Sequence, residues 1–237
     1  MSLLGSLASF FSQPEVTKSS ASFTSAGKTI RIDSFVPNGD KQYPPVIALH
    51  GSTGMDDTFS SDRPARMLAA QGYAVFLLHY FDRTGTTDQP SPKEMHDLFP
   101  DWMAAISDAI TYTHSLPEVA KTGTALVGFS LGAYLALAMG ATDSRVKAII
   151  DFCGGLPEQL YVASPKLPPT LVLHGEDDTS VPIAEAHKIR DLAASTDSIC
   201  ECKFYEGEGH YLSTITMLDA AQRVPEFLRK HLGNGRG

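Results

Sequence analysis

A chain of 237 residues, 43% hydrophobic and 19% charged, suits one domain with a substantial core and is long for two. Nineteen Lys and Arg against 27 Asp and Glu leave a formal charge of -8 with no basic cluster, which argues against nucleic acid as a partner. No run of about 18 apolar residues offers a membrane span, and three cysteines make no disulfide framework, so free thiols in a reducing, cytoplasmic setting are expected.

Met1 to Phe11 is apolar but lacks the Lys or Arg of a secretory leader. Residues 1–20 read either as a short helix packed on the body or pocket mouth, or as a loosely ordered terminus; residues 21–237 read as a single domain. Ala21 to Ala26 and Lys28 to Val36 are strand-like, with Gly27 turning between them, and predict an antiparallel hairpin at a sheet edge. Val46 to Leu49 is wholly apolar, as a strand buried on both faces should be, and ends in His50-Gly51-Ser52-Thr53-Gly54. Arg63 to Gln71 predicts a helix stopped by Gly72, and Tyr73 to Tyr80 a buried strand. Phe81 to about Pro100 reads as a polar loop, and Trp102 to His114 as a helix from its apolar spacing. Further strands are predicted at Thr124 to Phe129, Val146 to Phe152, Thr170 to Leu173 and Cys200 to Tyr205. Helices are predicted at Leu131 to Met139, Ile183 to Ala194 and Met217 to Leu232, with a loop from Gly154 to Pro169. Strand alternating with helix implies an α/β fold, a mostly parallel sheet covered on both faces. Ligands of such sheets bind beyond the carboxyl ends of the strands.

At one such end stands Gly128-Phe129-Ser130-Leu131-Gly132, flanked by a predicted strand and a predicted helix. A serine at the tip of so sharp a turn is forced toward positive φ, which is costly for a residue with a Cβ. The two glycines let strand and helix pass closely, leaving the Ser130 hydroxyl exposed above the sheet edge. A serine hydroxyl is a weak nucleophile at neutral pH and needs a base, itself oriented by a third group. Of eight histidines, His210 in Glu206-Gly207-Glu208-Gly209-His210 is the best-placed base, on a glycine-rich turn after the last strand. His50 and His174 precede glycines and read as loop organisers, while His79 ends a strand and could line the pocket. The orienting acid should come from His174-Gly175-Glu176-Asp177-Asp178-Thr179-Ser180-Val181-Pro182, between nucleophile and base. Asp178 is favoured, three residues before Val181-Pro182; Asp177 is the runner-up and buried Asp151 a third choice. The chain order Ser, Asp, His is that of hydrolases carrying this serine motif.

Gly-Phe-Ser-Leu-Gly, the His-Gly-x-x-Asp-x-x-Val-Pro pattern ending at Pro182, and Glu-Gly-x-Gly-His together resemble the α/β-hydrolase superfamily, within it the dienelactone hydrolase-like family. The resemblance runs from about Lys28 to Leu232. It implies an α/β-hydrolase fold with an antiparallel N-terminal edge. It also implies cleavage of a small carboxylic ester, lactone or thioester through an acyl-enzyme on Ser130, Asp178 and His210, without metal or cofactor. The implied oxyanion donors are the backbone N–H of Leu131 and that of Ser52, with Thr53 the alternative. Tyr80 to Thr86 resembles the family loop in which an arginine holds a substrate carboxylate, so Arg83, with His79 and Tyr80 beside it, is a candidate substrate contact. Arg83 could equally pair with Asp82 or Asp88 at the surface. Three departures stand out: Ser130 replaces a cysteine, His50 a glutamate, and the segment after His210 lacks a second arginine. Peptide or carbon–carbon bond hydrolysis on the same residues, and a non-catalytic binding protein on the same fold, are the rival readings.

Overall fold

The computed structural model describes residues 14–55 and 62–233, without the side chains of residues 159–161. The expectation for Met1 to Phe11 lies outside the described residues. Within them, eight strands form one sheet: β1 (Val16–Ser25), β2 (Lys28–Pro37), β3 (Pro45–Leu49), β4 (Ala74–Leu78), β5 (Thr124–Phe129), β6 (Val146–Phe152), β7 (Thr170–Gly175) and β8 (Cys200–Tyr205). Their spatial order is β1-β2-β4-β3-β5-β6-β7-β8. β1 and β2 run antiparallel to their neighbours, and every pair from β4 to β8 is parallel.

Among the described residues five helices of seven residues or more cover the sheet: α1 (Arg63–Ala69), α2 (Pro92–Ser115), α3 (Leu131–Thr142), α5 (Ile183–Ser195) and α6 (Thr214–His231), with the six-residue α4 (Glu158–Ala163) between α3 and α5. The period-2 alternation of strand side chains divides the core in two. Ile47, Leu49, Phe76, Leu126, Ile149 and Val172 face Trp102, Ile106, Leu135 and Ile189 of α2, α3 and α5. Val46, Ala48, Val75, Leu77, Ile150 and Leu173 face Ala65, Ala69, Val224 and Phe227 of α1 and α6. β3 is therefore buried at every position, which is why its sequence is a continuous apolar run.

Three boundaries depart from the sequence expectation. β1 starts at Val16, inside the segment read as a separate terminus, and pairs with β2 over ten positions. Most of its residues are exposed, so polar Thr and Ser serve it and no apolar alternation marks its start. Ala26 and Gly27 both have positive φ, 43° and 78°, so Ala26 belongs to the turn and not to the strand. α2 begins at Pro92, ten residues before Trp102, within the expected loop. Ser91 and Glu94 form a reciprocal capping box there. Pro100 is accommodated inside the helix; it lacks the N–H that would reach the His96 carbonyl but fits the helical φ. A one-turn 3-10 helix, Tyr80–Arg83, follows β4, and α4 interrupts the other expected loop.

Candidate active site

Ser130 occupies the junction of β5 and α3 with φ 52° and ψ -119°. Its N–H donates to the Phe152 carbonyl at 2.9 Å, anchoring the turn to β6. The crowding that demands glycine on either side is measurable. A Cβ on Gly128 would lie 2.3 Å from the Gly132 carbonyl oxygen, and one on Gly132 would lie 2.2 Å from the Leu49 carbonyl oxygen. Strand, helix and β3 thus touch backbone to backbone, and the strain falls on Ser130.

His210 lies in the loop joining β8 to α6. The Glu208 carboxylate accepts from the Ser213 N–H at 2.7 Å and from the hydroxyls of Ser213 and Thr216, pinning that loop to the start of α6. Ser213 is also the N-cap of α6. The pinned ring is 3.0 Å from Ser130 Oγ through Nε2 and 2.7 Å from Asp178 Oδ2 through Nδ1. A carboxylate oxygen only accepts, so Nδ1 carries the proton and Nε2 is left to accept from the Ser130 hydroxyl.

Asp178 is buried in the loop after β7. Its Oδ1 accepts from the N–H groups of Ser180 and Val181, both at 2.8 Å, which fixes the carboxylate plane. His174 donates through Nε2 to the Val181 carbonyl at 2.8 Å, and burial holds its pKa below the usual value. Asp177 is exposed, and it is Asp178 that meets His210. Asp151 is fully buried, accepts from the Gly154 N–H at 2.8 Å, and has its pKa lifted by burial to about 7.

Cys153 escaped the sequence reading. It has φ 52°, is fully buried, and offers a sulfur within 4.8 Å of donor atoms of Asp178 and His210. This is the one group of metal-ligand type among the described residues. Yet Asp178 and His210 are already bonded to each other, and burial pushes the Cys153 thiol up to about 12.

The loop after β3 borders Ser130 from the other side. His50 is buried, stacked on Tyr80 at 4.0 Å between ring centroids, and donates from Nδ1 to the Gly51 carbonyl at 2.8 Å. Burial lowers its pKa to about 4, so the ring is neutral near pH 7. The Tyr80 hydroxyl donates to the His50 carbonyl at 2.7 Å. The next two residues, Ser52 and Thr53, stand at the cavity wall. Leu131 also lines it and opens α3, so its N–H has no acceptor one turn back.

A cavity of about 720 Å³ opens over Ser130 and His210. Besides Ser52, Thr53 and Leu131 it is lined by Met95, His96, Phe99 and Pro100 of α2, by Phe129 and Tyr211, and by Tyr134, Pro157, Ser180 and Val181. Residues 95–100 and Pro157 fall in the two stretches, 81–100 and 154–169, that the sequence reading expects to shape the pocket as loops; what it missed is that the first is helical from Pro92 on.

The three expected substrate contacts lie elsewhere. Arg83 donates to Asp101 Oδ1 from Nε and Nη2, each at 3.2 Å, and to Ser25 Oγ from Nη1 at 2.5 Å. It ties the 3-10 helix to α2 and β1, and pairs with neither Asp82 nor Asp88. His79 bonds Asp33 through Nε2 at 3.1 Å. Tyr80 is fully buried beneath the His50 loop and lines no part of the cavity.

Residues 30–214 match the sequence pattern of the dienelactone hydrolase family. A putative carboxymethylenebutenolidase of Yersinia pestis is 24% identical over 185 residues, which cover 71% of this chain and 68% of that protein. Acyl-coenzyme A thioesterase 1 of Mus musculus is 28% identical over 150 residues, 62% of this chain and 33% of the thioesterase. The chain thus matches about a third of the length of that relative. Among solved structures, a putative dienelactone hydrolase from Klebsiella pneumoniae superposes with a TM-score of 0.78 at 18% identity, covering 91% of this chain and 99% of that one. The likeness shows the α/β-hydrolase fold.

Proposed function

The chain belongs to the dienelactone hydrolase family, and on that premise we propose that it cleaves small carboxylic esters, lactones or thioesters through an acyl-enzyme on Ser130. The observation that carries this reading is the unbroken line Ser130 Oγ, His210 Nε2, His210 Nδ1, Asp178 Oδ2, with links of 3.0 and 2.7 Å, at the floor of a cavity. Ser130 attacks the carbonyl carbon as its proton passes to His210. The N–H groups of Ser52 and Leu131 receive the developing oxyanion, a contribution on the order of 10²–10³ in rate for each donor. His210 returns the proton to the leaving alcohol or thiol, then takes one from the water that attacks the acyl carbon and passes it to Ser130 Oγ as the carboxylic acid departs. Asp178 keeps the proton of the neutral ring on Nδ1 and offsets the charge of the imidazolium. The route calls for no metal or cofactor.

Names among the relatives lie on both sides of the ester–thioester division, a carboxymethylenebutenolidase and acyl-coenzyme A thioesterases. No helix of the described residues is long and apolar enough to cross a membrane. The free thiols of Cys153, Cys200 and Cys202 support a reducing, cytoplasmic setting. A fluorophosphonate probe tests the chemistry: one adduct on Ser130, with parallel loss of p-nitrophenyl ester turnover, is expected. An unmodified Ser130, or turnover that survives full modification, overturns it.

A further inference from the structure

The surroundings of Ser130 also speak to the charge of the substrate. Met95, Phe99 and Pro100 of α2, with Phe129, Val181 and Tyr211, give the cavity a largely apolar wall. Among the described residues no Lys or Arg lines it. Arg83, the guanidinium that the family resemblance would set against a carboxylate, is spent on Asp101 and Ser25. In sequence, residues 1–13 and 56–61 contain no Lys or Arg, and 56–61 include two aspartates. His96 at the rim is exposed and already faces Asp97 at 3.4 Å. Of the other ionisable groups lining it, His210 is engaged by Asp178 and Ser130, and Tyr134 and Tyr211 are phenols, which carry no positive charge.

We infer that the cavity selects a neutral, apolar substrate group and rejects one that carries a carboxylate, with Met95 and Phe99 as specificity-determining side chains. This rests on the ester-hydrolase reading of the same cavity. A carboxylate entering it would give up its water and find no cation in return, whereas an alkyl chain gains by leaving water for the α2 wall. Phe99 lies one helical turn from Met95, so the two present one continuous apolar surface to the chain. A cation at position 95 would weaken the preference by giving the carboxylate a partner.

The test is a matched pair of esters of similar length, p-nitrophenyl hexanoate and the p-nitrophenyl monoester of adipic acid. The neutral ester should lead in kcat/KM by roughly a hundredfold, chiefly through KM, because an unpaired carboxylate is costly to desolvate. Met95→Arg should narrow that ratio by at least about tenfold, and Phe99→Ala should move the optimum to longer chains. Thermal melts confirm that each variant folds, and both positions are half-buried on a helix face. Equal or better turnover of the adipate ester by the native chain overturns the inference, as does a ratio that neither variant moves. Fluorophosphonate labelling in parallel separates the two levels. Labelling of Ser130 without turnover of either ester overturns the ester-hydrolase reading and the selectivity with it. Turnover of both esters at equal rates overturns the selectivity alone.

Discussion

Two clusters of ionisable side chains stand on the same edge of the sheet, and they are built to opposite ends. One joins Ser130, Asp178 and His210 beyond β5, β7 and β8. The other gathers Arg31, Asp33, His79, Asp82 and Arg83 around β2, β4 and the 3-10 helix. In the second cluster each charge closes on a neighbour: Arg31 on Asp82 at 2.8 Å, His79 on Asp33 at 3.1 Å, Arg83 on Asp101 at 3.2 Å. In the first, the chain of hydrogen bonds ends at a hydroxyl facing a cavity. A density of titratable groups at strand ends therefore does not make a site. What separates the two clusters is an open end, and a backbone strained to present it.

The sharpest way to break this contrast is Ser130→Ala. Turnover should fall by roughly 10⁵–10⁶, as for other nucleophiles that act as one unit with their base. Arg31→Ala, its counterpart in the closed cluster, should change turnover by less than about twofold, since an exposed ion pair contributes under about 1 kcal/mol. Initial rates for the two purified variants decide it, and comparable losses would dissolve the distinction.

Asp178→Asn comes next. Loss of the enforced tautomer should lower kcat by roughly 10²–10⁴, while Asp33→Asn and Asp177→Asn should leave kcat near native. A larger loss in Asp177→Asn than in Asp178→Asn would move the acid's role to Asp177.

A smaller effect concerns stability and pH. Burial raises Asp151 to about 7 from 3.8, so the folded chain keeps a proton that the unfolded chain has already lost. Its contribution is full below about pH 4 and is lost as pH rises through 7. His50, lowered by burial to about 4 from 6.5, works the other way: its contribution is full above 6.5 and is lost as pH falls toward 4. Asp151→Asn removes the first and keeps the second. Its Tm relative to the native chain should therefore climb between pH 5 and pH 8, and a constant offset would contradict the assignment.

Least of all should Arg83→Ala affect selectivity. It breaks the clasp between the 3-10 helix and α2, so Tm should fall, while KM for acidic and neutral esters should shift in the same proportion. A selective rise in KM for the acidic ester would put Arg83 at the substrate after all.

The same contrast explains what could be read from the sequence. β3 and β4 declare themselves because burial on both faces demands unbroken apolar runs, β5, β6 and β7 carry shorter ones, and the parallel α/β class follows from them. Ser130, Asp178 and His210 stand in turn motifs that backbone crowding dictates, so position in the chain led to positions in space. β1 hides because an exposed edge strand imposes no apolar period on its residues. The first turns of α2 hide behind two prolines. Pro92 belongs at a helix start and Pro100 inside the helix, but in sequence both look like breaks. For Arg83, the resemblance located the loop but said nothing of Asp101 eighteen residues on. A side chain's partner is a tertiary fact.

The spacing along the chain also sets when the site can exist. Ser130 and His210 are 80 residues apart, and Asp178 and His210 are 32 apart. The β1–β2 hairpin closes around the two-residue turn Ala26–Gly27, so it can pair early during refolding, when only short loops need to be closed. The hydroxyl and imidazole meet only once β5, β6, β7 and β8 have all docked side by side. A refolding chain thus recovers its nucleophile at the slowest, most non-local step, and returning esterase activity would clock completion of the whole sheet rather than of any one piece.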